Sequence, residues 1–149
     1  MKKTPDRRVQ RTRRLLHKAL MSCILEKKYE SITVQEILNR ADVGRSTFYV
    51  HFRDKDELLV SGFGELQSLL KSAQATSAGL PGKSYERVIG FSLAMFEHAS
   101  EYQRVNRALL GSNAEPIVRR QIHSVLAGLV GKEIEMEFRR RKRVNSGVA

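Results

Sequence analysis

Tryptophan is absent, cysteine occurs once, and only three prolines interrupt the 149 residues. The single thiol, Cys23, can form neither an internal disulfide nor a cysteine-pair metal site, and its place on an apolar helical stripe assigns it to packing. His17, His51, His98 and His123 lack metal-ligand spacing, and there is no glycine-rich phosphate loop, so no enzyme and no cofactor is expected. No run of about 18 apolar residues occurs, and the charged N-terminus lacks the apolar stretch of a secretory signal; a cytoplasmic chain away from the membrane is expected. Strand-like alternation is missing as well. The one β-branched run, Ile32-Thr33-Val34, passes at once into a helix-start signal.

What remains is an ordinary globular composition, 41% hydrophobic and 29% charged, without repeats or low-complexity tracts, sufficient to build a core. Acidic residues are in the minority, and the resulting net charge of +11 is unevenly placed. Residues 1–60 hold 14 basic and 8 acidic side chains, residues 61–138 hold 8 of each, and Arg139 to Arg143 add five cations in succession. A basic head on a neutral body is the electrostatic footprint of a polyanion binder. The terminal run reads as a solvated helix end, whose cations suit the negative pole of the helix dipole, in preference to a second polyanion site.

Apolar residues recur at spacings of three and four nearly throughout, which predicts an all-α chain. A first helix is expected from Asp6 to Lys27, with Val9, Leu16, Ala19, Leu20, Cys23 and Ile24 inward. Its other face holds Arg7, Arg8, Arg11, Arg13, Arg14 and Lys18, open either to solvent or to DNA. Thr33 and Glu36 form a capping box opening a second helix that ends near Ala41. Asp42-Val43-Gly44 breaks it, and a third helix runs from Arg45 to about Val50. Asp54, with Glu57 three residues on, caps a long fourth helix through Leu59, Phe63, Leu66 and Leu70, weakened by Gly62 and Gly64 and closed by a loop from Ser77 to Ser84. Val88, Phe91, Met95, Phe96 and Ala99 mark a fifth helix, and Val105 to Leu110 a sixth. A seventh begins near Pro116 and runs towards Arg143 through Ile122, Val125, Leu126, Leu129 and Val130.

Residues 33 to 52 satisfy the demands of a helix-turn-helix: a bracing helix, a short turn, and a second helix whose early side chains reach base edges. Ile37, Ala41, Val43, Phe48 and Phe52 are expected to pack between the helices. Arg45, Ser46, Thr47, Tyr49 and His51 are left for the outer surface, and Arg45 is the base-reading candidate, because arginine bonds a guanine edge with two donors.

The run from Thr33-Val34-Gln35-Glu36-Ile37 through Thr47-Phe48-Tyr49-Val50-His51-Phe52-Arg53-Asp54-Lys55-Asp56-Glu57-Leu58 resembles the signature of TetR-type bacterial transcriptional regulators, over roughly Arg8 to Leu70. The resemblance implies a dimer that sets two third helices into successive major grooves of a double-stranded DNA operator, with an effector pocket in the C-terminal body. By position, Thr33 and Lys55 would bond phosphates, Tyr49 and His51 would touch the backbone beside Arg45, and Ser46 and Thr47 would lie nearest the bases. Three positions depart from the family pattern: Asp42 stands where a left-handed glycine is usual, Gly44 replaces a serine or threonine cap, and Leu38 a frequent alanine. Family members continue past helix seven with two helices that build the dimer interface. This sequence stops at Ala149, so the expectation is either a truncated product or fragment of a longer regulator, or a homodimer whose surface is supplied differently, such as by the exposed apolar side of helix seven.

The expected organisation is a three-helix DNA-binding head over residues 1–55, joined by the long fourth helix to a helical effector and dimerisation body over 56–149. Phe63, Phe91, Met95, Phe96, His98 and Tyr102 are candidates to line a small-molecule pocket, although such a stripe serves equally as core. The expected function is a transcriptional repressor released by a small molecule. The alternative is a DNA-binding helical protein without a small-molecule effector, controlled by a protein partner or architectural. RNA recognition has less support, because no aromatic platform is evident.

Overall fold

The structure, a computed structural model, describes residues 7–78 and 91–146. Among these residues there are seven α-helices and no strand. They are α1 (Arg7–Glu26), α2 (Val34–Ala41), α3 (Arg45–His51), α4 (Lys55–Ala78), α5 (Ser92–Glu101), α6 (Gln103–Leu109) and α7 (Glu115–Ser146), with a 3-10 turn at Tyr29–Ser31 between α1 and α2. Most of the expected loop from Ser77 to Ser84, and Val88 of the fifth helix, lie outside the described residues.

Local chemistry accounts for the helix boundaries. Thr33 caps α2 reciprocally: its hydroxyl accepts from the Glu36 N–H at 3.3 Å, and the Thr33 N–H donates to Glu36 Oε2 at 2.8 Å, so two otherwise unpaired amides are satisfied. Asp42 ends α2 in the left-handed region (φ 53, ψ 48), and among the described residues it is the one non-glycine with positive φ. The expected break thus occurs at a residue that tolerates this conformation less well than glycine. Asp54 Oδ1 accepts from the Glu57 N–H at 2.7 Å and opens α4 as its capping pattern predicts.

The described residues form two compact units. The first takes the chain up to Gly62 together with Tyr102–Arg119. Its core holds Leu16, Leu20, Cys23 and Ile24 of α1, Ile37, Leu38 and Ala41 of α2, Phe48 and Phe52 at α3, and Leu58 and Leu59 of α4. Val105 and Leu109 of α6 and Ala114 are buried in the same core. In this unit Gly62 has a specific use: a Cβ there would stand 2.1 Å from His17 Nε2, so the bare backbone of α4 leaves the place occupied by the imidazole of α1. Gly64 shows no such crowding. The second unit, Phe63–Glu101 with Arg120 onwards, packs Leu66, Leu70, Phe91, Val125 and Leu129 together, and Gln74 donates to the Leu129 carbonyl at 3.3 Å inside it.

Candidate nucleic-acid interface

The third helix is short, and its orientation follows from two aromatic anchors. Phe48 is fully buried and Phe52, which caps the helix, is 2% exposed; their ring centroids lie 5.7 Å apart. With that side fixed inward, a 3.6-residue repeat turns Arg45, Ser46, Thr47, Tyr49 and Val50 outward, and all five are exposed. Tyr49 leans on Phe48 edge to face at 5.3 Å while half its surface stays open. His51 is half-buried beside Phe52.

Arg45 does not hang free. Its Nη2 donates to Gln35 Oε1 at 2.8 Å, and Gln35 Nε2 donates in turn to Asn39 Oδ1 at 2.7 Å. The guanidinium of α3 is therefore held by a polar chain along the exposed side of α2, which restricts its rotamers before any ligand arrives. Sequence reasoning missed Gln35. Its signal was positional, since a capping box at Thr33 and Glu36 with Ile37 inward leaves position 35 facing out. Val50 was also missed, although a β-branched side chain that is 78% exposed breaks the polar character of this edge.

The expected phosphate ligands Thr33 and Lys55 have partners within the protein. The Thr33 hydroxyl donates to Glu36 Oε2 at 2.9 Å. Lys55 Nζ donates to the carbonyls of Tyr29 at 2.7 Å and Ile32 at 2.8 Å, and sits 4.6 Å from the centroid of the Tyr29 ring. It thereby ties the start of α4 to the connection between α1 and α2. Beside it the buried Tyr29 hydroxyl donates to Asp56 Oδ1 at 2.5 Å. Burial and that carboxylate push the phenol well above its ordinary pKa, so it stays a donor across the working pH range. An ion pair from Lys27, with the capping bonds of Thr33, holds the Glu36 carboxyl down at about 2.

On α1, Arg7, Arg8, Arg11, Arg13, Arg14 and Lys18 are the cations of the outer face, and Arg7, Arg11, Arg14 and Lys18 lie along it at spacings of four, three and four. Arg13 lies over the Phe52 ring, its guanidinium carbon 5.2 Å from the centroid.

The six pocket candidates do not behave as one group. Phe91 is buried, and Phe63 and Met95 pack partly buried against the core of the second unit. Phe96 is 73% exposed, while Tyr102 packs against the core of the first unit. His98 is half-buried, and loss of solvent lowers its pKa below the ordinary imidazole value.

A buried-aromatic anchor that turns a polar, cationic helix edge outward from a small helical core defines a helix-turn-helix protein. Residues 16–61 match the family model described as bacterial regulatory proteins, tetR family. Over these residues the chain carries a TetR-type N-terminal helix-turn-helix domain. It is similar to the HTH-type transcriptional regulator YxbF of Bacillus subtilis, with 46% identity over 55 residues, covering 36% of this chain and 14% of that protein. An HTH-type transcriptional regulator of Mycobacterium bovis is 26% identical over 114 residues, covering 76% of this chain and 54% of the relative. Among solved structures, a TetR transcriptional regulator from Streptococcus agalactiae superposes with a TM-score of 0.57 at 29% identity, over 89% of this chain and 69% of that one. A TetR-family regulator from Syntrophomonas wolfei shares the fold, with a TM-score of 0.73 at 21% identity over 88% of this chain and 70% of its own. The chain thus spans a seventh to about half the length of these curated relatives. Among the described residues, no helix is long and apolar enough to cross a membrane.

Proposed function

We propose that this chain is a sequence-specific, double-stranded-DNA-binding transcriptional regulator that reads its operator with α3. The observation that carries this reading is the divided surface of α3: Phe48 and Phe52 are locked inward, and Arg45, Ser46, Thr47, Tyr49 and Val50 face out. In a major groove Arg45 would offer two donors to a guanine edge, Ser46 and Thr47 hydroxyl groups to neighbouring bases, and Val50 two methyl groups to a thymine. Tyr49 and His51 would fix register on the phosphates, with Thr33 and Lys55 contributing where their internal partners allow. Binding to a randomised duplex library, followed by titration of the selected sequence, tests this. Arg45→Ala should cost about 1–3 kcal/mol and relax one base position. An unchanged affinity and base preference would show that α3 does not read the groove.

The regulator is proposed to act as a repressor and a homodimer, since a single head reaches one half-site only. Ile134 and Phe138, one turn apart on α7 and 56% and 75% exposed, are the apolar surface that supports self-association. Sedimentation of the wild type against Ile134→Asp with Phe138→Asp checks it. Release by a small molecule would act through Phe63, Phe91 and Met95, which share one core. A regulator without a small-molecule effector gains support from Phe96 and Tyr102, one exposed and one in the other unit. Thermal shifts against a compound library separate the two readings.

A further inference from the structure

Four cations of α1 fall on a single face. Arg7, Arg11, Arg14 and Lys18 follow the spacing i, i+4, i+7, i+11, a stripe about 16 Å long on the side turned away from buried Leu16, Leu20, Cys23 and Ile24. Among the described residues none of the four is paired with a carboxylate. The first acid of α1 is Glu26, which is engaged with Arg40.

This arrangement opposes the stability of the helix that carries it. Like charges three and four residues apart repel, and cations in a first turn oppose the helix dipole. The helices α2, α4 and α7 each place acid in the first turn; α1, α3, α5 and α6 place none, and of these α1 is the one that opens on two arginines, Arg7 and Arg8. A local rule broken with no carboxylate partner among the described residues marks a surface completed by something outside the chain. That partner must be anionic, extended and regularly charged.

We propose that the α1 stripe is a second, sequence-independent phosphate-binding face for duplex DNA, separate from the α3 edge. The inference rests on the DNA-binding reading above and adds to it a surface that contributes affinity without selecting sequence. An anionic membrane fits less well, because a helix lying on lipid needs an apolar flank, and that of α1 is buried in the core. Duplex DNA offers about one charge per 1.7 Å of axis and demands no such flank.

The test uses the full chain and a variant with Arg7→Gln, Arg11→Gln, Arg14→Gln and Lys18→Gln, whose changes lie outside both cores. Anisotropy titrations on a selected duplex and on a scrambled one, from about 50 to 200 mM salt, give the slope of log K against log salt. The expected result is a slope shallower by up to about 0.9 for each phosphate the variant no longer neutralises, with affinity falling by the same factor on both duplexes. A fourfold Arg/Lys exchange that keeps the charge should restore the slope. If the wild type binds duplex and the glutamine variant matches it in slope and affinity, the proposal is overturned. It is equally overturned if the variant loses only its binding to phosphatidylserine vesicles, which would assign the stripe to lipid. A wild type that binds no duplex at any salt instead removes the regulator reading itself.

Discussion

Lys55 shows how one side chain can hold a structural position that sequence reads as a ligand contact. Its ammonium bonds two carbonyls of the α1–α2 connection and covers the Tyr29 ring, so removing it leaves two acceptors short of a donor. Lys55→Ala should therefore lower the melting temperature of the free protein as well as any affinity for DNA, whereas a purely phosphate-directed lysine would change only the latter. Denaturant unfolding without DNA distinguishes the two; an unaltered midpoint would return Lys55 to the phosphates alone. Phe48 is the counterpart on the inner side. Being fully buried, its replacement by alanine should cost about 3–5 kcal/mol and abolish DNA binding by loss of the fold, which far-ultraviolet circular dichroism would register.

Among the elements, α2 carries the most explicit instructions. Both of its ends depend on single residues, Thr33 and Asp42. With the Glu36 carboxyl lowered to about 2 by Lys27 and Thr33, the folded state holds its proton more weakly than the unfolded chain does. This contribution is complete above the unfolded value of about 4.3 and disappears as pH falls through the folded value. Acid titration of stability should show that loss between about pH 5 and pH 2, and Glu36→Gln should flatten it. Asp42→Gly, relieving a left-handed backbone, should raise stability by up to about 1 kcal/mol; a decrease in the denaturant midpoint would mean that the aspartate side chain stabilises the turn by more than its backbone strain costs. These boundaries were legible in the sequence because capping and turn chemistry are local: Thr33 to Glu36, Asp42-Val43-Gly44 and Asp54 to Glu57 each lie within four residues. Gly62 was not. As a sequence feature it only weakens a helix, and its use appears when folding brings His17 of α1 against the same spot.

For the whole molecule, the helix-turn-helix and the outward set on α3 could be read from periodicity, because aromatic anchors at 48 and 52 fix what faces away from them. Which core each later helix joins could not. Periodicity identifies the apolar side of a helix and says nothing of its partner, so the short α6 was compatible with either unit. In the structure Val105 and Leu109, with Ala114, are buried beside Leu16, Ile37 and Phe48. The same limit scattered the six pocket candidates, whose aromatic spacing could not reveal that Tyr102 belongs with the first core and Phe91 with the second. The head is therefore built from chain segments about forty residues apart in sequence, and its stability should depend on both. Leu109→Ala, opening a cavity at a 4% exposed site, should cost about 2–5 kcal/mol, although the residue lies far along the chain from α3. A fragment of residues 1–62 should likewise melt below the first transition of the full chain, because Ile37 and its neighbours lose the side chains that cover them. Were fragment and full chain to melt together, α6 would be a passenger on the head, and the three N-terminal helices with the start of α4 would suffice to hold the α3 edge in place.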